Sequence, residues 1–289
     1  MSAVLDRREA RGLERASEGQ IAPVGTFTVR RALPERERHS VGPWVFLDHF
    51  GPFRATPGHD GVGPHPHAGI ETVTYLLSGR NEHRDSAGHH GIVAAGGAQW
   101  MTSGRGIIHA ERPLAENEAE RTLHGIQLWT SLPRARKLMA PRYQRIEAQA
   151  IPEFDRDGAR VRVIAGAMEG AVGPADVLMP LVLAHVTDEA GATFETAVDA
   201  GFELAAYVIE GVAGIGAAQV KAGSIAFLQD GLPRLRVSNP GSVPLQAMVL
   251  GGAPAEGPLV FHGPFVMNSV EQVRAAEIAY RTGRMGSLD

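Results

Sequence analysis

Cysteine is absent from this chain. That absence removes disulfides, thiolate metal ligands and cysteine nucleophiles together, so any metal site must be built from histidine and carboxylate. It also favours a reducing compartment, because proteins of oxidising compartments commonly carry disulfides. Long apolar runs are missing too. The stretch from Val177 to Ala184 is among the longest and is far too short to span a bilayer. An excess of positive charge is lacking: the formal net charge is -4, which argues against a general nucleic-acid or membrane partner. The first twenty residues have no apolar core of a secretory signal, and Asp6, Glu9, Glu14 and Glu18 set them apart from acid-poor transit peptides. A cytoplasmic protein with a loosely held arm over residues 1–20 is the expectation.

What is present is punctuation. The 35 glycines and 19 prolines divide the 289 residues into short segments rich in Val, Ile, Thr, Leu and Tyr. Strands are expected over Thr26–Arg31, Glu71–Leu77, Gly125–Leu132, Val161–Ala165, Leu181–Val186, Ala205–Ile209 and Leu245–Leu250. Short strands at regular spacing between turn residues describe an all-β sandwich or barrel. Helical periodicity is clearest over Ser269–Thr282, where Ser269 and Gln272 form a capping box and Val273, Ala276 and Tyr280 fall at helical spacing.

The pattern occurs twice. Glu71 to Gly79 (ETVTYLLSG) matches Glu203 to Gly211 (ELAAYVIEG), and Ala95 to Trp100 (AGGAQW) matches Ala222 to Phe227 (AGSIAF) in the same order. The first pair is separated by 132 residues and the second by 127, as a shortened loop in the second copy produces. A duplicated β-barrel follows, at a length that suits two domains of roughly 150 residues. The expected limits are 21–145 and 146–256, with 257–289 as a C-terminal segment and helix packing back toward the first domain.

The densest chemistry lies in Gly63-Pro-His65-Pro-His67 and Gly106-Ile-Ile-His109-Ala-Glu111. Residues two apart in an extended chain share a face, so His65 pairs with His67 and His109 with Glu111. Two such pairs on neighbouring strands place three imidazoles and one carboxylate around one point. Iron, nickel, copper, manganese and zinc all accept such ligands. One His-x-His pair arises readily by chance among 12 histidines; two same-face pairs flanked by glycine turns do so far less. Shifted by the repeat offsets, the four positions become Ala197, Asp199, Arg236 and Ser238, so the second copy has the scaffold without the ligands.

Other polar residues carry weaker signals. Glu71 shares parity with His65 and His67 if the strand is unbroken, either orienting an imidazole or standing at the barrel mouth as Glu203 would. Gln99 and Gln127 face the cavity or satisfy backbone groups. His83, His89 and His90 fall in the Asn81–Gly91 stretch, read as a solvated loop and not as ligands. His124 begins a strand, and His262 has no visible partner.

These residues resemble the pirin family of bicupins. The likeness runs through Val29 to Pro34, Val41 to Pro52, Pro64 to His67, Gly69 to Leu77, Gln99 to Glu111 and His124 to Trp129, and returns at Phe261 to Asn268. His-Pro-His with Gly-Arg-Gly-Ile-x-His-Ala-Glu is particular to that family. The resemblance implies two tandem cupin barrels of the double-stranded β-helix or jelly-roll type, with ferrous iron on His65, His67, His109 and Glu111 and other transition metals compatible. Some bacterial pirins are quercetin 2,3-dioxygenases; others are regulatory, including a nuclear transcription cofactor in animals and binders of metabolic enzymes in bacteria. The expected activity is oxygenolytic cleavage of an aromatic or enediol-like substrate such as a flavonol, using O2, with Glu111 as catalytic base. The alternative is an iron-holding redox sensor acting on a protein partner. A monomer is expected, since the fusion already pairs two barrels.

Overall fold

A computed structural model describes residues 10–25, 27–54, 61–114 and 122–288. The described strands up to Ile146 are β1 (Leu13–Glu18), β2 (Gln20–Val24), β3 (Phe27–Leu33), β4 (Trp44–Arg54), β5 (Val62–His67), β6 (Ile70–Ser78), β7 (Arg80–Asp85), β8 (His90–Ala94), β9 (Ala98–Thr102), β10 (Ile107–Leu114), β11 (Thr122–Ser131) and β12 (Arg142–Ile146). The chain divides into two compact units. One comprises Gln20–Ile151 with the residues from Ala255 onward; the other comprises Pro152–Pro254 with the described residues up to Gly19.

In the first unit a seven-stranded antiparallel sheet runs β12-β9-β6-β11-β4-β3-β2, and a four-stranded sheet runs β5-β10-β7-β8. The central strand β6 is buried from Ile70 to Leu76, which explains why it reads as almost continuously apolar or small. Trp44 and Trp100 meet edge to face in this unit, with ring centroids 6.0 Å apart. The helix α1 (Val270–Arg281) begins where Ser269 accepts the Gln272 amide at 3.2 Å, while Gln272 Oε1 accepts the Asn268 amide at 2.9 Å. Val273 and Ala276 pack with Ala68, Ile108, Phe265 and Met267, whereas Tyr280 is exposed.

The second unit repeats the strand order except at one edge, where β1 from the N-terminal stretch takes the place that β12 holds in the first. Its large sheet runs β1, Ser224–Leu228, Glu203–Glu210, Leu245–Gly252, Leu181–Asp188, Ala159–Ala165, Glu153–Arg156; its small sheet runs Thr193–Ala197, Arg234–Ser238, Val212–Ile215, Ala218–Lys221. Phe194, Leu235 and Val237 from the small sheet join Leu204, Ala206, Val208 and Val249 from the large one in an apolar core. Each fully buried Leu, Val or Phe among them contributes about 1.5–3 kcal/mol. Glu195, on the other face of its strand from Phe194, pairs with Arg234 at 3.1 Å and lies 3.8 Å from Arg236.

The arm expected over residues 1–20 is corrected for its second half. Leu13–Glu18 is a strand paired with Ser224–Leu228, because the alternating Leu13, Arg15 and Ser17 pattern supplies an edge to the second unit's sheet. Arg11 is fully buried there, donating to the carbonyls of Leu232 (2.8 Å), Phe202 (2.6 Å) and Asp199 (2.9 Å). Residues 1–9 lie outside the described residues. No described helix is long and apolar enough to cross a membrane.

Candidate metal centre

Strands β5 and β10 run antiparallel with His65 opposite His109 and His67 opposite Ile107. Ring centroids of His65, His67 and His109 lie 4.3 to 5.0 Å apart, and one nitrogen from each falls within 4.8 Å of the others, a group that could hold a metal ion. His67 and His109 are buried; His65 is partly exposed at the cavity wall.

Each imidazole is held by its Nδ1. His65 Nδ1–H donates to the Gly63 carbonyl at 2.8 Å and His67 Nδ1–H to the Pro264 carbonyl at 3.1 Å, while His109 Nδ1 lies 3.4 Å from His83 Nδ1. With those tautomers all three Nε2 atoms carry lone pairs, and His109 Nε2 is buried with no hydrogen-bond partner. An orphaned buried nitrogen is costly unless something else satisfies it, and a cation does so. Burial pushes His67 down to about 3, reinforced by His65, and lowers His109 well below the ordinary histidine value. Neutral imidazoles are the form that ligates metal. The donor set therefore fits a transition metal.

Glu111 stands apart from this group. Against β5 the register slips by one residue after His65, which places Glu111 opposite Val62, whereas against β7 the strand β10 pairs without a break from His109 to Glu111. Its Oε1 collects three side chains: Thr74 Oγ1 at 2.8 Å, Asn81 Nδ2 at 3.3 Å and Gln99 Nε2. Thr74 Oγ1 also lies 2.7 Å from Gln127 Oε1. So three of the four expected ligands come together, and the fourth is turned into a polar cluster on the same cavity.

That cavity has a volume of about 570 Å3. Phe46, Phe50, Phe53, Val45 and Trp129 form apolar wall, with Phe46 and Trp129 stacked at 4.0 Å. A polar strip crosses it because register rows place Arg31 opposite Asp48, Asp48 opposite Gln127, Gln127 opposite Thr74 and Thr74 opposite Gln99. Arg31 grips Asp48 through two bonds of 2.8 and 2.7 Å. Burial nonetheless lifts the Asp48 carboxyl above its ordinary value, while the same pair raises the Arg31 guanidinium.

Glu71 is not beside the histidines. Gly69, at φ +78°, breaks the strand between β5 and β6, and a Cβ there would collide with the Val266 carbonyl. Beyond that turn Glu71 faces away from Thr74, in a row with Thr102 (2.6 Å), Thr130 (3.4 Å) and Arg142 (3.5 Å). Burial raises its carboxyl against the pull of those donors. His124 Nε2 meets His49 Nε2 at 2.6 Å, and His262 meets Glu277 at 3.0 Å, so neither joins the triad.

The reading of Asn81–Gly91 as a solvated loop is corrected. Arg80–Asp85 is a strand whose Asn81, His83 and Asp85 are buried in alternation, and His90 alone of the three histidines there is mostly exposed, on Glu82 at 2.9 Å. The signal was available: Asn-x-His-x-Asp has the same two-residue spacing as His65 and His67. It was hidden because the segment lacks β-branched and aromatic residues.

A family model described as pirin matches residues 26–130, and one described as the pirin C-terminal cupin domain matches residues 183–286. The chain belongs to the pirin family. Its mostly-β architecture, with repeated sheets and one C-terminal helix, is the bicupin pirin fold. A pirin-like protein of Solanum lycopersicum is 34% identical over 261 residues, covering 89% of this pirin and 87% of its relative. Among solved structures, a quercetin 2,3-dioxygenase from Acinetobacter baumannii matches with a TM-score of 0.89 at 30% identity, over 97% of this chain and 100% of that one. The bacterial pirin YhhW from Escherichia coli, solved in complex with nickel(II), matches with a TM-score of 0.62 over 83% of this chain and 99% of that one. Its 18% identity makes this last likeness one of fold.

Proposed function

We propose that this pirin is a metal-dependent dioxygenase that opens the ring of a flavonol such as quercetin, with His65, His67, His109 and Glu111 as its ligand set. The observation that carries the reading is the placement of three Nε2 atoms beside a cavity with aromatic walls, large enough for a flat aromatic substrate. A structural metal needs no such cavity. The relative from Acinetobacter baumannii, named for this activity and alike over nearly the whole chain, supports the same class.

Ferrous iron bound there supplies Lewis acidity toward a substrate hydroxyl and redox partnership with O2. The chain's own residues do the rest. Phe50, Phe53, Val45 and Trp129 supply apolar wall for the substrate rings. Glu111, whose Oε1 is held by Thr74, Asn81 and Gln99, takes the proton of the flavonol hydroxyl as general base while remaining beside the metal. The buried histidines stay neutral and do not compete for that proton. Arg31, Asp48 and Gln127 offer hydrogen bonds to hydroxyls at the far end of a polyphenol. Overall the flavonol takes up one O2 and releases one carbon monoxide, leaving both atoms of O2 in the ring-opened ester.

The test is an oxygen electrode with iron-reconstituted protein and a panel of flavonols and acireductones, with carbon monoxide read in parallel. Oxygen uptake coupled to equimolar carbon monoxide from a flavonol is the expected result. No uptake with any member of the panel, from protein carrying stoichiometric iron, ends the proposal.

A further inference from the structure

We propose that His83 is a positioning residue for the metal centre: backed by Asp85, it sets the tautomer and ring orientation of His109. The proposal rests on the reading of His65, His67 and His109 as ligands. Asp85 Oδ1 accepts the amides of Ala87 and His89, each at 3.0 Å, which anchors the carboxylate. Its Oδ2 lies 3.1 Å from His83 Nε2, so that nitrogen carries the proton and donates. A neutral imidazole protonated at Nε2 has its lone pair on Nδ1. That lone pair stands 3.4 Å from His109 Nδ1, which must then be the donor. The consequence reaches the site: His109 is left with a bare Nε2, the buried atom that has no protein partner.

His83 is itself well fixed. It is buried, and its ring stacks on Tyr143 with centroids 4.5 Å apart and planes 14° from parallel. Strand register puts Asp85 opposite His109 and His83 opposite Glu111, so β7 lies along the strand that carries both. His83 is excluded as a ligand by the same bonds, since Asp85 occupies its Nε2 and His109 its Nδ1. The three metal-facing histidines are thus unequal. His65 and His67 lean on backbone carbonyls, whereas His109 leans on an imidazole and, through it, a carboxylate. An outer carboxylate makes a ligating imidazole a stronger donor and holds its orientation.

The experiment titrates cobalt(II) into native protein and into His83→Asn, His83→Gln and His83→Phe, reading affinity by calorimetry and the visible absorption of the bound ion. Asn places its side-chain oxygen where Nδ1 stood and keeps the acceptor; Gln and Phe do not. Affinity is expected to fall about 10–100-fold in His83→Gln and His83→Phe, with a changed cobalt spectrum, and to stay within about threefold in His83→Asn. Should His83→Phe fail to fold by circular dichroism, the contrast between Asn and Gln decides alone. Equal affinity and spectra in the Asn and Gln proteins overturn the inference. Native protein that takes up no cobalt(II) overturns the triad reading beneath it as well.

Discussion

His65 and His109 face each other across the antiparallel pair β5 and β10, with ring centroids 4.3 Å apart and both Nδ1 atoms turned away from the shared space. Two strand segments with 39 residues between them, from 68 to 106, thereby aim lone pairs at one point. The properties of that point can be measured.

Metal uptake depends on His67. A ligand present at 100 times its Kd stabilises the folded state by about 2.7 kcal/mol, so nickel(II) or iron(II) raises the thermal midpoint of the native protein. In His67→Ala the shift disappears and bound metal, read by mass spectrometry, falls to background. A His67→Ala protein retaining the native metal content contradicts the assignment.

Glu111→Gln separates base from scaffold. The amide keeps the size of the side chain and loses the proton acceptor, so flavonol turnover falls about 100-fold or more. The three imidazoles remain, and substantial metal stays bound. Turnover at the native rate, followed with the oxygen electrode, removes Glu111 from the chemistry.

Lys137 links stability to the site. Its buried ammonium donates to the carbonyls of Gly69 and Val266, each at 2.7 Å, and to Ser131 Oγ at 2.8 Å. Lys137→Met leaves two buried carbonyls without their donor and costs about 2–4 kcal/mol in urea unfolding. Because Gly69 is two residues from His67, metal affinity falls as well. Unchanged unfolding and unchanged affinity together contradict this role.

Asp188 makes the second unit sensitive to pH. Its side chain is fully buried with both carboxyl oxygens lacking a hydrogen-bond partner, and burial lifts its pKa from 3.8 to about 7. The folded state therefore binds the proton more tightly than the unfolded state between those values. The stability this neutral acid contributes is complete below about pH 4 and is lost as pH rises through 7. Asp188→Asn cannot ionise, so its stability relative to native protein grows by about 1–3 kcal/mol between pH 4 and pH 8 in urea titrations. A constant difference across that range contradicts the assignment.

Much of this was legible along the chain. Strand periodicity located the central strands within a few residues, and Ser269 with Gln272 marked the start of α1. The repeat announced two barrels, and His65, His67 and His109 announced themselves by spacing. The repeat offsets were less exact than the strands. Register puts Glu195 opposite Arg236 as His65 is opposite His109, whereas the shift of 132 pointed to Ala197. Loop length, not strand alignment, sets a sequence offset.

Local pattern by itself determined the central strands of both large sheets, that the architecture occurs twice, and that His65 and His67 share one face, because side-chain direction in a strand follows from a two-residue repeat. Tertiary structure alone decided the partners. Packing across the sheets set Glu111 against Thr74 and Gln99, the Gly69 turn sent Glu71 to the opposite face, and pairing of β7 with β10 brought His83 behind His109. Register between strands distant in sequence is set by packing of the whole sheet, and no spacing within a single segment encodes it.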